Sequence, residues 1–234
     1  MENKRAEQTG VVTCFFDLVI WMIFNEIEER DWLDNPLRCL DQLQHHNDFR
    51  RLRLFGCACF QRRYEPITDT EILIALEMIY RYADRTIDPS ELSNIKSQIR
   101  NERKGRSHEF IEDITFLLLP DGCTSSHPGH MVSRRNWGNE SRRQLKEIIP
   151  QTTFLHDIFG NPFLPITFNP VWLTPTVKRL AQTAYEERRF DLMPILADAL
   201  EEAGCDNADI LDHCRTFPVH VLGCWVVDKI LGKE

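Results

Sequence analysis

Capping residues followed by apolar residues at three- and four-residue spacing recur along this 234-residue chain, and no run alternates apolar and polar residues over the length of a half-buried strand. The expected class is therefore all-α: an irregular multi-helix bundle with a long packed connector before the C-terminal helices. Asp34-Asn35-Pro36 opens one helix, with Leu37, Leu40 and Leu43 turned inward. Asp48 opens a second through Tyr64, whose face of Phe49, Leu52, Phe55, Cys59 and Phe60 packs. Thr68 with Glu71 has capping-box spacing ahead of Ile72, Ala75, Leu76 and Ile79. Asp88-Pro89 starts a charged helix to about Lys104, and Ser107 starts another that Pro120 ends. Asn139 caps a helix through Ile149, which Pro150 is expected to stop.

From Phe159 to Pro170 the chain mixes aromatic and aliphatic residues with Gly160, Asn161, Pro162, Pro165 and Pro170, so no regular helix passes through. Ile158, Phe159, Phe163, Leu164, Ile166, Phe168 and Trp172 would not stay solvated, which predicts a loop packed across a core. Thr174-Pro175 then caps and opens a helix with Val177, Leu180, Ala181, Ala184 and Tyr185 on one face. Asp191 is the next expected cap, before Leu192, Ile195, Leu196, Ala199 and Leu200, with Gly204 as the stop.

Several of these segments carry a resemblance. Ile158 to Phe163, Ala184 to Arg188, Pro194 to Leu200, Cys214-Arg215 and Gly223-Cys224-Trp225-Val226-Val227-Asp228 resemble the C-terminal signature of an uncharacterised bacterial family expanded in planctomycetes. Similar sequences accompany repeat-companion and repeat domains. Leu52 to Cys59 and Ala75 to Ala83 are similar to the N-terminal half of the same family. The likeness covers most of residues 32 to 234 and implies no activity, substrate or catalytic residue. It leaves three regions: an apolar N-terminal segment (1–31), an N-terminal helical bundle (32–150) and a C-terminal signature region (151–234) packed with it as one unit.

A chain of this length buries a sizeable core without disulfide staples. A net charge of -8 argues against a surface that attracts nucleic acid overall. The eight cysteines are irregularly spaced, with no secretion signal ahead of them, and the expectation is reduced thiols in a cytoplasmic protein. Val11 to Phe24 is nearly all apolar but contains Asp17 and is shorter than the roughly 20 residues a spanning helix needs, so a buried or partner-covered helix is expected, not a membrane span.

Three sets of residues could carry chemistry. Cys205, His213, Cys214, His220 and Cys224 are thiols and imidazoles suited to zinc, although their spacing matches no zinc finger, and the cysteines would equally serve as core filler. Cys224 with His213 or His220 and Asp228 could also form a nucleophile, base and orienting acid. Cys123, His127 and His130 make a weaker set inside the irregular stretch Asp121 to Gly138, whereas Cys57 and Cys59 read as small residues at a close helix contact. Arg50, Arg53, Arg62, Arg63, Arg134 and Arg135, with Trp137 to stack on a base, could form a nucleic-acid face. Phe159, Asn161, Phe163, Trp172 and Trp225 are the expected protein-interaction residues. No phosphate-binding loop, dinucleotide fingerprint, nucleophile elbow or metalloprotease helix motif is present. The leading expectation is a non-enzymatic interaction or scaffold module with a protein partner and no required cofactor. The alternatives are a thiol- or zinc-dependent enzyme and a nucleic-acid-associated factor.

Overall fold

The structure, a computed structural model, describes Trp32 and residues 49–102, 105–119 and 141–233, with side chains from residue 150 onward in the last range. The N-terminal apolar segment, the helix expected after Asn35, the set Cys123, His127 and His130, and Arg134, Arg135 and Trp137 lie outside these residues. Among the described residues there are nine α-helices and no strand: α1 (Phe49–Arg63), α2 (Thr70–Ala83), α3 (Pro89–Asn101), α4 (His108–Leu117), α5 (Ser141–Phe159), α6 (Pro175–Glu186), α7 (Met193–Glu202), α8 (Ala208–Thr216) and α9 (Trp225–Leu231). The all-α class is as expected, and no helix among the described residues is long and apolar enough to cross a membrane.

Helix α1 is the axis. Residues Leu52 through Phe60 are all buried, so this helix is covered on every side, unlike an amphipathic surface helix. It packs on α2, α4 and α5. Gly56 permits the approach to α4, since a Cβ there would stand 2.7 Å from Leu117 Cδ2. Cys57 and Cys59 are buried in this helix, as expected of small packing residues. Arg53, also buried, donates to the carbonyls of Leu117 (2.6 Å) and Leu119 (2.9 Å) at the end of α4 and lies over the Tyr82 ring. The charge is tolerable there because those carbonyls have no helical partner.

Local rules account for most helix starts. Asp88, Ser107, Thr174 and Asn207 cap α3, α4, α6 and α8 through their side chains, and Pro89 and Pro175 occupy first-turn positions. Three expectations change. The cap of α2 is Asp69, which accepts from the Glu71 amide, and not Thr68. Asp191 falls within a short 3-10 turn, Phe190–Leu192, and α7 follows with no side-chain cap. Helix α5 runs through Pro150 to Phe159, so the boundary expected near residue 150 falls inside a helix. Pro150 removes one amide donor, and the helix is carried past it by burial of Phe154, Leu155 and Ile158.

The connector packs as expected, with Phe163, Ile166, Phe168 and Trp172 lying against the core. Leu164 departs from the expectation and is 54% exposed. Trp32 is buried at the start of this connector, stacked on His156 and donating its indole N–H to the Gly160 carbonyl at 3.1 Å.

Helix α9 closes the C-terminal helices onto α1, α5, α6 and α8 through packing and a charge junction. Asp228, fully buried, accepts from both terminal nitrogens of the Arg50 guanidinium, whose Nε donates to Asp84 and whose Nη2 also reaches the Tyr185 hydroxyl. Tyr185 and Lys233 donate to Asp84. Burial pushes the Asp228 carboxyl above its usual range even with Arg50 opposing, whereas, against burial, the Asp228 carboxylate holds the Arg50 guanidinium above its own, and removing one partner of such a buried pair is costly. Arg50→Leu is expected to cost about 3–5 kcal/mol in chemical denaturation by leaving Asp228 unpaired. Arg50→Leu combined with Asp228→Leu should cost less than the sum of the single changes.

Candidate functional site: a buried acid, imidazole and thiol cluster

Four side chains from four places in the chain converge below α8. Asp157 sits in the last turn of α5, His213 in α8, His220 in the loop after it, and Cys224 at the N-cap position of α9. Each is delivered by local geometry. The Asn207 cap starts α8 so that His213 faces inward. Phe217 leaves the helix in extended conformation, and Pro218 to Val221 continue with no regular hydrogen bonding. There His220 turns inward onto Asp157, while Pro218, Val219 and Val221 line a groove. Gly223 then takes φ +96, a left-handed value, and delivers Cys224 to α9.

The polar atoms meet closely. Asp157 Oδ1 stands 2.7 Å from His220 Nδ1 and 3.1 Å from His213 Nε2, while its Oδ2 accepts the Val221 amide at 2.8 Å. Cys224 Sγ lies 3.4 Å from His213 Nε2 and 3.7 Å from His220 Nδ1. The Asp157 side chain is fully buried, and those of His213 and His220 are only 7% and 6% exposed. The rings of Phe217, Trp225 and Phe190 close around the imidazoles.

Burial acts against charge throughout the cluster. It would raise the Asp157 carboxyl, but hydrogen bonds from His213 and His220 outweigh it and hold the carboxyl below its usual range. Burial pulls the His213 imidazole down and pushes the Cys224 thiol well above its ordinary value. Among the described residues these four donors are the ones that could hold a metal ion, their ligand atoms all within 4.8 Å of one another.

The expected set is therefore reshaped. His213, His220 and Cys224 come together, and Cys205 and Cys214 are buried outside the group. His213 and Cys214 are neighbours on a helix, where side chains diverge by about 100°, so only one of them can face the centre. Burial pushes the Cys214 thiol up to about 12 and also raises Cys205. Asp228 does not orient an imidazole, because Arg50 holds it. The acid is Asp157, whose sequence signal was a lone carboxylate among Phe154, Leu155, Ile158 and Phe159.

The other expected residues are placed as follows. Arg50 and Arg53 are engaged inside the fold, Arg62 pairs with Glu65 at 3.4 Å, and Arg63 pairs with Glu109 and Asp113. Phe159, Asn161, Phe163 and Trp172 are half-buried along the connector, with the Trp172 indole donating to the Gly204 carbonyl. Trp225 was expected at an interaction surface but is buried, its ring against His213 and Phe168.

Comparison with protein-family models, with curated proteins and with solved structures finds no match to this chain.

Gly223 gives a direct test of how tightly the cluster is framed. A Cβ there would stand 2.9 Å from Leu54 Cδ1 on a backbone that side chains rarely adopt. Gly223→Ala is expected to cost about 1–3 kcal/mol in thermal or chemical unfolding.

Proposed function

We propose that this chain is a non-enzymatic helical interaction module and that its acid, imidazole and thiol cluster serves the fold. The observation that carries this reading is the orientation of the imidazoles. In a relay, a histidine takes the nucleophile's proton on one ring nitrogen and is held by an acid on the other. Here the same nitrogen of each ring, Nε2 of His213 and Nδ1 of His220, faces both Asp157 and Cys224. The burial of Cys224, only 1% exposed, adds to the argument, since a nucleophile has to meet its substrate. Nucleic-acid binding is disfavoured because Arg50, Arg53, Arg63 and Arg106 are committed to partners within the protein.

Among the described residues such a module offers a mainly apolar groove of about 880 Å³, walled by Ala58, Ile67, Leu73, Pro150, Phe154 and Val219, with Gln61, Arg62 and Glu65 adding polar groups. Leu73 and Val219 stand 46% and 44% exposed on its walls. The resemblance to a family that accompanies repeat domains points the same way by association.

Thiol labelling of the native protein tests the reading. Cys224 should react with iodoacetamide only after unfolding, whereas fast native labelling with a pH profile set by a histidine would sink it. For the groove, a photo-crosslinking residue at position 73 or 219 should capture one discrete partner in cells. The same residue at Ile195, exposed on α7, should not; equal capture from all three positions would remove the groove from the proposal.

A further inference from the structure

We infer that Asp157, His213, His220 and Cys224 hold a zinc ion as a closed, four-ligand structural centre; this rests on the reading of the cluster as part of the fold. The first argument is shape. Ligand bonds of about 2.0–2.3 Å arranged tetrahedrally place neighbouring donor atoms roughly 3.3–3.6 Å apart. Four of the six donor–donor edges run from 2.7 to 3.7 Å, and the other two, between the imidazole nitrogens and between Asp157 and Cys224, lie within 4.8 Å.

The second argument is hydrogen-bond accounting. A ring nitrogen carrying a proton can donate to Asp157 but cannot accept the thiol proton. A ring nitrogen without one can accept from Cys224 but turns a lone pair on the buried carboxylate. Each nitrogen faces both groups: carrying its proton it donates to Asp157 and only weakly to the sulfur, and the thiol proton then finds no acceptor at either ring. A cation at the centre removes the conflict, because carboxylate, thiolate and both imidazoles then all present lone pairs to it.

The third argument is charge. A divalent ion with one carboxylate, one thiolate and two neutral imidazoles sums to zero, which is what a water-excluded site tolerates. One sulfur, two nitrogens and one oxygen form a borderline-soft set that suits zinc, whereas calcium and magnesium require six or more oxygen-rich ligands. Four protein ligands behind the rings of Phe217, Phe190 and Trp225 leave no position for a reacting water, which makes the centre structural. The Val221 amide on Asp157 Oδ2 fixes the carboxylate so that one oxygen faces the ion. The ion would join the end of α5, helix α8, the loop after it and the start of α9.

The test begins with elemental analysis of the full chain, purified without chelators or metal-affinity resin, paired with native thiol labelling. Stoichiometric zinc is expected, with Cys224 protected. After denaturation in chelator and refolding with cobalt(II), a sulfur-to-cobalt charge-transfer band should appear. That band should vanish in Cys224→Ser and persist in Cys205→Ser and Cys214→Ser. Metal-free protein whose Cys224 stays inert overturns the zinc assignment and leaves the non-enzymatic reading standing. Metal-free protein with a fast-reacting Cys224 overturns both. Zinc or cobalt binding that follows Cys214 in place of Cys224 overturns the ligand set. Since the wild-type metal content and cobalt spectrum stand by themselves, a variant that fails to fold does not rescue the proposal.

Discussion

Two carboxylates with no solvent exposure, Asp157 and Asp228, set the terms on which this chain can fold. A charge removed from water must be met by donors or neutralised, and neither acid finds its partners nearby in sequence. Asp228 on α9 is met by Arg50 on α1, from the other end of the described chain. Asp157 on α5 is met by His213, His220 and the Val221 amide. The two acids thus join segments that hydrophobic burial alone would hold less specifically, because apolar contacts are not directional. The continuous core running from Leu52 to Ile230 supplies the bulk of the driving force, and the acids select one arrangement of it.

How much of this could be read in advance varied with the range of the interaction. Caps at Asp88, Ser107, Thr174 and Asn207 act over two or three residues, and the first three were legible because nothing distant competes for them. Pro150 misled because a local rule met a tertiary one: burial of Phe154, Leu155 and Ile158 carries α5 past the missing amide. Leu164 shows the reverse, an apolar residue left facing water by the course of a Pro-rich loop.

The cluster was half legible. His213, His220 and Cys224 were singled out by chemical type, and helical geometry could already have excluded Cys214 as a co-ligand of its neighbour His213. Asp157 was invisible by type, because a carboxylate near a helix end ordinarily reads as solvated. Only its apolar neighbours marked it, and which histidines would reach it depends on a loop with no periodic signal. The placement of the arginines was hidden for a related reason. Composition records a basic residue but not its partner, and Arg50, Arg53 and Arg63 each meet theirs across tens of residues.

The segment Pro218 to Val221 gives His220 to the cluster and Pro218, Val219 and Val221 to the groove. His220 lies between Val219 and Val221 in the chain, so the two surfaces are adjacent in sequence. Whatever holds His220 in place lowers the entropy left for Val219 and Val221 to lose, and whatever settles against the valines narrows the positions open to His220. Linkage makes any such effect reciprocal: what one face does to binding at the other returns with equal size.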